Sequence, residues 1–240
     1  MSEETTTTNN ASNPYLVPGA IVVAGAFIAL AVFMSGGDSV EPEPDNSLAS
    51  RVAVDPSEVA QVLLPVSEAD HIRGPRTADI IFIEYSDFRC GFCGVFHTTM
   101  KSILERFDGR VAWVYRHAPF QPGGREAAIA SECVAELAGP EAFWDYTDRA
   151  MADQRSLTPA WHTATAVSLG IPAETFAECI ASGRHDATIA AHTRNLQELG
   201  GRGTPFTTLL VSDGSTRRFA GAEPLGEVVG LVEKVLSSLD

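Results

Sequence analysis

The chain has 240 residues, 45% of them apolar, and a formal net charge of −14. That length fits one compact domain with an appendage. The acidic balance argues against non-specific nucleic-acid binding, and no internal repeat is visible. The charge is uneven: residues 1–50 hold six acids (Glu3, Glu4, Asp38, Glu41, Glu43, Asp45) and no Lys or Arg, while the remainder holds 25 acids against 17 bases.

Residues 1–14 are polar and rich in Thr and Asn, which predicts a disordered N-terminal tail. From Tyr15 to Met34 run twenty residues without a charge and without a polar face. This is the length a helix needs to cross a bilayer, so residues 15–34 are predicted to be a single transmembrane anchor. The rival is a cleaved signal peptide, which expects a basic start and a shorter apolar stretch; here the first basic residue is Arg51. No cysteine follows closely enough to carry a lipid. With Lys and Arg absent near the span, the positive-inside rule is silent on orientation. Residues 35–65 read as an acidic linker and approach segment.

Beyond this the pattern becomes globular. "DIIFIEYSDF" (79–88) is a continuous apolar, β-branched and aromatic run that fits a strand buried on both faces. Phe92, Phe96, Met100, Ile103 and Phe107 then recur at helical spacing up to a stop at Asp108-Gly109, and "RVAWVYRH" (110–117) is a second strand. Strand, helix, strand predicts a βαβ unit with a parallel pair. A helical tract follows at about 123–199, punctuated by Gly139-Pro140, by the Thr158 N-cap with Pro159, and by Gly170, Pro172 and Gly183. "PFTTLLVS" (205–212), the Asp213-Gly214 turn and "TRRFAG" (216–221) predict an antiparallel hairpin. A last helix runs from about Pro224 to Leu239, with Leu225, Val228, Val229, Val232 and Val235 on one face. The fold class is α/β, in the order βαβ, helices, ββα.

Cys90 and Cys93 stand two residues apart at the strand–helix junction. Structural zinc needs four ligands, and only one such pair exists; His97 follows without a second His at ligand spacing. A c-type haem needs His where Gly94 stands. A structural disulfide is possible, but so short a loop gains little chain entropy. The redox reading has a mechanism. The helix N-terminus stabilises an anion, so Cys90, expected to be exposed, becomes the attacking thiolate. Cys93, one turn inside, acts as the resolving thiol through a mixed disulfide. Glu84 lies mid-strand: either an edge-strand residue facing water, or a partly buried carboxyl that accepts and returns the Cys93 proton. Thr204-Pro205 is either a Pro tolerated at a strand start or a cis bond presenting Thr204 backbone beside Cys90, where a substrate peptide can pair.

These stretches resemble the DsbA-type thiol-disulfide oxidoreductases, a thioredoxin fold with an inserted helical domain. "EYSDFRCGFC", "VYRHAPF", "EAFWDY" and "GTPF" look like that family in its order, over about residues 66–240. The resemblance implies Cys90 as nucleophile, Cys93 as resolving cysteine, Glu84 as buried acid and Pro205 as cis-proline. It also implies an extracytoplasmic catalytic domain, hence a cytoplasmic N-terminus. The substrates would be unfolded or newly exported cysteine-containing proteins, with a membrane quinone-linked partner to reoxidise the pair. No metal or organic cofactor and no oligomer are implied. One departure is the dipeptide Gly91-Phe92, where many relatives have Pro then an aromatic or His, so the reaction type is better fixed than its direction. Phe92, with Thr204 and Pro205, is a candidate substrate contact.

Cys133 and Cys179 sit in different helices of the insertion. They are either two buried thiols or, as similar family members have it, a disulfide bridging the insertion; it would close a loop of 46 residues, worth about 3–4 kcal/mol. Phe143, Trp144 and Tyr146 read as packing within the insertion, and His117 as a strand-end residue with a satisfied ring. Phe88, Phe92 and Phe206 are candidates for an apolar patch around Cys90. Two other readings stay open: a reductase or isomerase on the same fold, and a non-catalytic thioredoxin-like binding module or chaperone.

Overall fold

A computed structural model describes residues 47–48, the backbone of 53–54, and residues 62–240. The predicted tail (1–14) and anchor (15–34) lie outside the described residues, as does most of the 35–65 segment. Among the described residues no helix is long and apolar enough to cross a membrane.

Strand β3 (Ile80–Ser86) owes its place to its unbroken run of β-branched and aromatic side chains, and all seven residues are buried. It sits between β4 (Val111–His117), paired parallel, and β5 (Phe206–Val211), paired antiparallel. β6 (Thr216–Ala220) completes the hairpin with β5. The short strands β1 (Ala53–Val54) and β2 (His71–Arg73) take the two edges, giving the order β1-β6-β5-β3-β4-β2. Glu84 is therefore on a central strand, and the edge-strand reading falls.

Between β3 and β4 runs α1 (Gly91–Arg106), closing the expected βαβ unit. The insertion contains α2 (Gly124–Ala138), α3 (Pro140–Ala152), a 3-10 turn (Gln154–Ser156), α4 (Pro159–Ser168), α5 (Ala173–Ser182) and α6 (Asp186–Glu198). Its breaks follow local chemistry. Gly139 ends α2 at φ +87, and Thr158 accepts the Trp161 N–H at 3.2 Å ahead of Pro159. The last helix is α7 (Leu225–Ser237), which buries Val228, Leu231, Val232, Val235 and Leu236, while the first residue of the predicted face, Leu225, is exposed.

Alternation along β3 sorts side chains to two cores. Ile80 and Phe82 face one with Phe96, Met100, Trp113, Tyr115 and the inner residues of α7. Ile81, Ile83 and Tyr85 face the other with Leu196 and Leu199 from the end of the insertion. Phe143 and Trp144 are buried but do not pack only within the insertion. Trp144 lies 4.9 Å from Trp113 and Phe143 lies 5.8 Å from Tyr115, ring centre to ring centre, so α3 is fastened to β4. Arg116 is fully buried on the opposite face, donating from Nε to Asp70 Oδ1 at 2.8 Å and from Nη1 to the Tyr85 hydroxyl at 3.1 Å.

Candidate active site

β3 delivers its chain end to the start of α1, and Cys90 is the N-cap of that helix, in extended conformation (φ −87, ψ 116). No acidic residue stands in the first turn, so no carboxylate competes for the partial positive charge there. Cys90 and Cys93 are both free thiols. The Cys90 pKa is pushed down to about 5, first by the Cys93 thiol donating to its sulfur, then by Thr204 and the backbone N–H groups of Cys93 and Phe92, against the opposing effect of burial. Cys93 goes the other way: burial above all, then its hydrogen bond to Cys90 and the nearby Glu84, push its thiol far up.

Cys90 is not exposed as the sequence suggested; only 8% of its surface is accessible. Two distant segments contact it. Its Sγ lies 3.3 Å from the Thr204 carbonyl oxygen, ahead of a cis Thr204–Pro205 bond. On the other side Gln154 Nε2 donates to the carbonyls of Cys90 at 2.8 Å and Phe88 at 3.0 Å, while Arg89 Nη1 donates to the Gln154 carbonyl at 2.6 Å. Gly94 admits that side chain, since a Cβ there would stand 2.8 Å from Gln154 Oε1. Phe92 is 69% exposed and Val95 61%, so Phe92 leaves the buried helix face assigned to it and stands in solvent beside Cys90. Phe88 and Phe206 are buried and belong to the cores, not to a surface patch.

Beneath the pair, Glu84 is fully buried rather than partly so. Burial raises its pKa to about 7, against the Trp113 indole N–H, which donates to Oε2 at 2.9 Å, and Ser86. Glu84 Oε1, Ser86 Oγ and Tyr115 Oη are buried without a well-aligned partner, an arrangement suited to passing a proton toward Cys93. Asp87, also buried, accepts the N–H groups of Arg89 (2.9 Å), Phe120 (2.8 Å) and Gln121 (2.7 Å), which ties the active-site turn to the loop before α2; burial still raises its pKa.

The structure thus brings together Cys90, Cys93, Glu84, Thr204, Pro205 and Phe92. Cys133 and Cys179 are apart from them, joined by a disulfide that links α2 to α5, with Cα atoms 5.9 Å apart. His97, the one histidine near the pair in sequence, is bound to Asp148 at 2.7 Å instead. Sequence reasoning does not single out Gln154, Asp87, Trp113, Ser86 or Tyr115. Asp87 lies within the cysteine-bearing stretch, but nothing local marks Gln154, 64 residues away.

A family model described as thioredoxin matches residues 66–219. Among curated relatives, the Na(+)/H(+) antiporter NhaA 1 of Salinispora arenicola is 33% identical over 149 residues, 61% of this chain and 22% of that protein. The chain therefore spans about a fifth of the length of that antiporter. Among solved structures, alpha-DsbA1 of Wolbachia pipientis superposes with a TM-score of 0.65 at 20% identity, covering 75% of this chain and 98% of that one. The thiol-disulfide exchange protein alpha-DsbA2 of the same organism gives 0.63 at 21%, covering 75% and 95%. The fold is the DsbA-like thioredoxin fold with a helical insertion.

Proposed function

The chain belongs to the thioredoxin family, and we propose that it is a membrane-anchored, extracytoplasmic thiol-disulfide oxidoreductase that donates its Cys90–Cys93 disulfide to cysteine pairs of exported proteins. The observation that carries this is the split between the two thiols, Cys90 pushed down to about 5 and Cys93 far up over a buried carboxyl. A stabilised Cys90 thiolate makes the dithiol the favoured state and the disulfide an oxidant.

A substrate thiolate attacks Cys90 Sγ, and the Cys90–Cys93 bond breaks. Cys93 departs as a thiolate, and Glu84, near half-protonated at neutral pH, supplies its proton. The second substrate thiolate then attacks the substrate sulfur of the mixed disulfide and releases the Cys90 thiolate. Two electrons pass to the protein, and a quinone-linked membrane partner removes them. The substrate backbone pairs along Thr204, and Phe92 offers apolar contact to an unfolded chain. The 20-residue uncharged run at 15–34 supports membrane anchoring, as does the presence of a related segment within chains named as antiporters.

The test is trapping combined with a potential. Cys93→Ala should accumulate mixed disulfides through Cys90 with exported proteins, and Cys90→Ser should not. A potential well above that of the glutathione pool supports the oxidase. A potential as low as a cytosolic reductant means electrons run the other way, and an absence of trapped species means a binding module.

A further inference from the structure

A second cluster of chemistry-bearing side chains lies at the edge of the sheet, and neither cysteine of the redox pair takes part in it. His71 comes from β2, His117 from the last position of β4, and Glu132 from α2. Glu132 Oε1 stands 3.1 Å from His71 Nε2 and 2.9 Å from His117 Nε2. All three ligand atoms lie within 4.8 Å of one another.

From these positions we propose a divalent metal site, two imidazoles and one carboxylate, that takes a first-row transition ion of the zinc class. Three arguments carry it. The donor set is right: two His and one carboxylate bind zinc and its neighbours, whereas calcium and magnesium prefer all-oxygen cages. The spacing is close as well. Tetrahedral ligands about 2.1 Å from an ion are about 3.4 Å apart, so the two carboxylate–imidazole separations of 3.1 and 2.9 Å need to open by only a few tenths of an ångström. Finally, the three ligands are already assembled and enclosed. His117 is 1% exposed and Glu132 8%; Phe143 stacks on the His71 ring at 3.6 Å between centroids. The His71 and Glu132 side chains keep 11% and 10% of their surface open, which leaves a path for an ion. The far nitrogen of His117, Nδ1, is buried without a partner, so that ring is oriented by what its Nε2 binds.

The ion would be structural. It would join the β2 edge and the end of β4 to the first helix of the insertion, beside the Trp144–Trp113 and Phe143–Tyr115 contacts that also hold the insertion to the sheet.

The experiment is a zinc titration of the full-length chain with Cys90–Cys93 oxidised and Cys133–Cys179 intact, so that no thiolate competes. One zinc per chain should bind, with a rise in Tm that His71→Ala and Glu132→Gln each remove. His71 lies on a three-residue edge strand, so its loss should leave the fold in place. Cobalt(II) in place of zinc should give visible bands of nitrogen and oxygen coordination, absent in His71→Ala. No uptake, or uptake unchanged in both variants, would overturn the proposal and leave a hydrogen-bonded His–Glu–His latch. Trapping and potential measurements on Cys90–Cys93 run in the presence of a chelator, so failure of one reading is distinguishable from failure of the other.

Discussion

Glu84→Gln isolates what the buried acid costs the fold. The Glu84 pKa rises from 4.5 to about 7, with burial as the largest cause. Between those two values the native state holds more protons than the unfolded chain, so stability falls as pH rises through the window. At about 1.4 kcal/mol for each tenfold step, the loss totals about 3 kcal/mol by pH 8.5. Glutamine keeps an oxygen to accept the Trp113 indole N–H but cannot ionise. Its amide nitrogen replaces an oxygen that already lacks an aligned partner, at a cost of about 1–3 kcal/mol that does not change with pH. The absolute stability difference at one pH is therefore not the measure; the pH dependence is. Urea unfolding from pH 4.5 to 8.5, in a Cys90→Ser/Cys93→Ser background that leaves the burial intact, should show the variant gaining about 3 kcal/mol on its parent across the range. Parallel profiles would refute the reasoning, because Glu84 would then ionise in the fold as it does in water.

With Cys133–Cys179 intact, the reduced Cys90 thiolate should titrate with a midpoint near pH 5 by absorbance at 240 nm. Its alkylation rate should be flat above about pH 6 and fall tenfold per unit below the midpoint; a midpoint above 8 would remove the basis for the oxidase reading. Gly124→Ala places a Cβ 2.5 Å from Asp87 Oδ1, and three backbone donors prevent that carboxylate from retreating. Thermal and urea unfolding should show a loss of about 1–3 kcal/mol. Replacing Cys133 and Cys179 together by serine opens a 46-residue loop and should cost about 3–4 kcal/mol in unfolding, with Cys90 exchange retained at low temperature.

Much of the site was legible because its signals are local. A buried strand declares itself by an unbroken apolar run, a helix by the three- and four-residue recurrence of its apolar side chains, and Cys90 and Cys93 lie on the junction between the two. Pro205 was legible for the same reason, standing where a glycine-rich approach meets a strand. What sequence misjudged depends on segments that arrive from far along the chain. Cys90 is buried where Thr204, 114 residues on, meets its sulfur and Gln154 binds its carbonyl. Phe92 shares the helical period of Phe96 and Met100, but the period does not say that the first turn of α1 projects beyond the sheet. His117 was expected to have a satisfied ring; Nε2 is paired with Glu132, but Nδ1 has no partner. That pairing, and the one with His71, were invisible because three separate elements supply it.

The two distant segments that contact Cys90 also set an order in time. A ribosome makes the chain from its N-terminus, so Cys90 and Cys93 are synthesised well before Gln154 and before Thr204. Until those residues join the fold, the nascent chain has the Cys93 and Phe92 donors but lacks the Thr204 contribution that lowers the Cys90 pKa further. The last part of the Cys90 activation is in this sense a late property of the polypeptide. It also means that the 80–117 unit, excised or transplanted alone, would carry the cysteines and their local donors without the Thr204 contact that the complete chain adds.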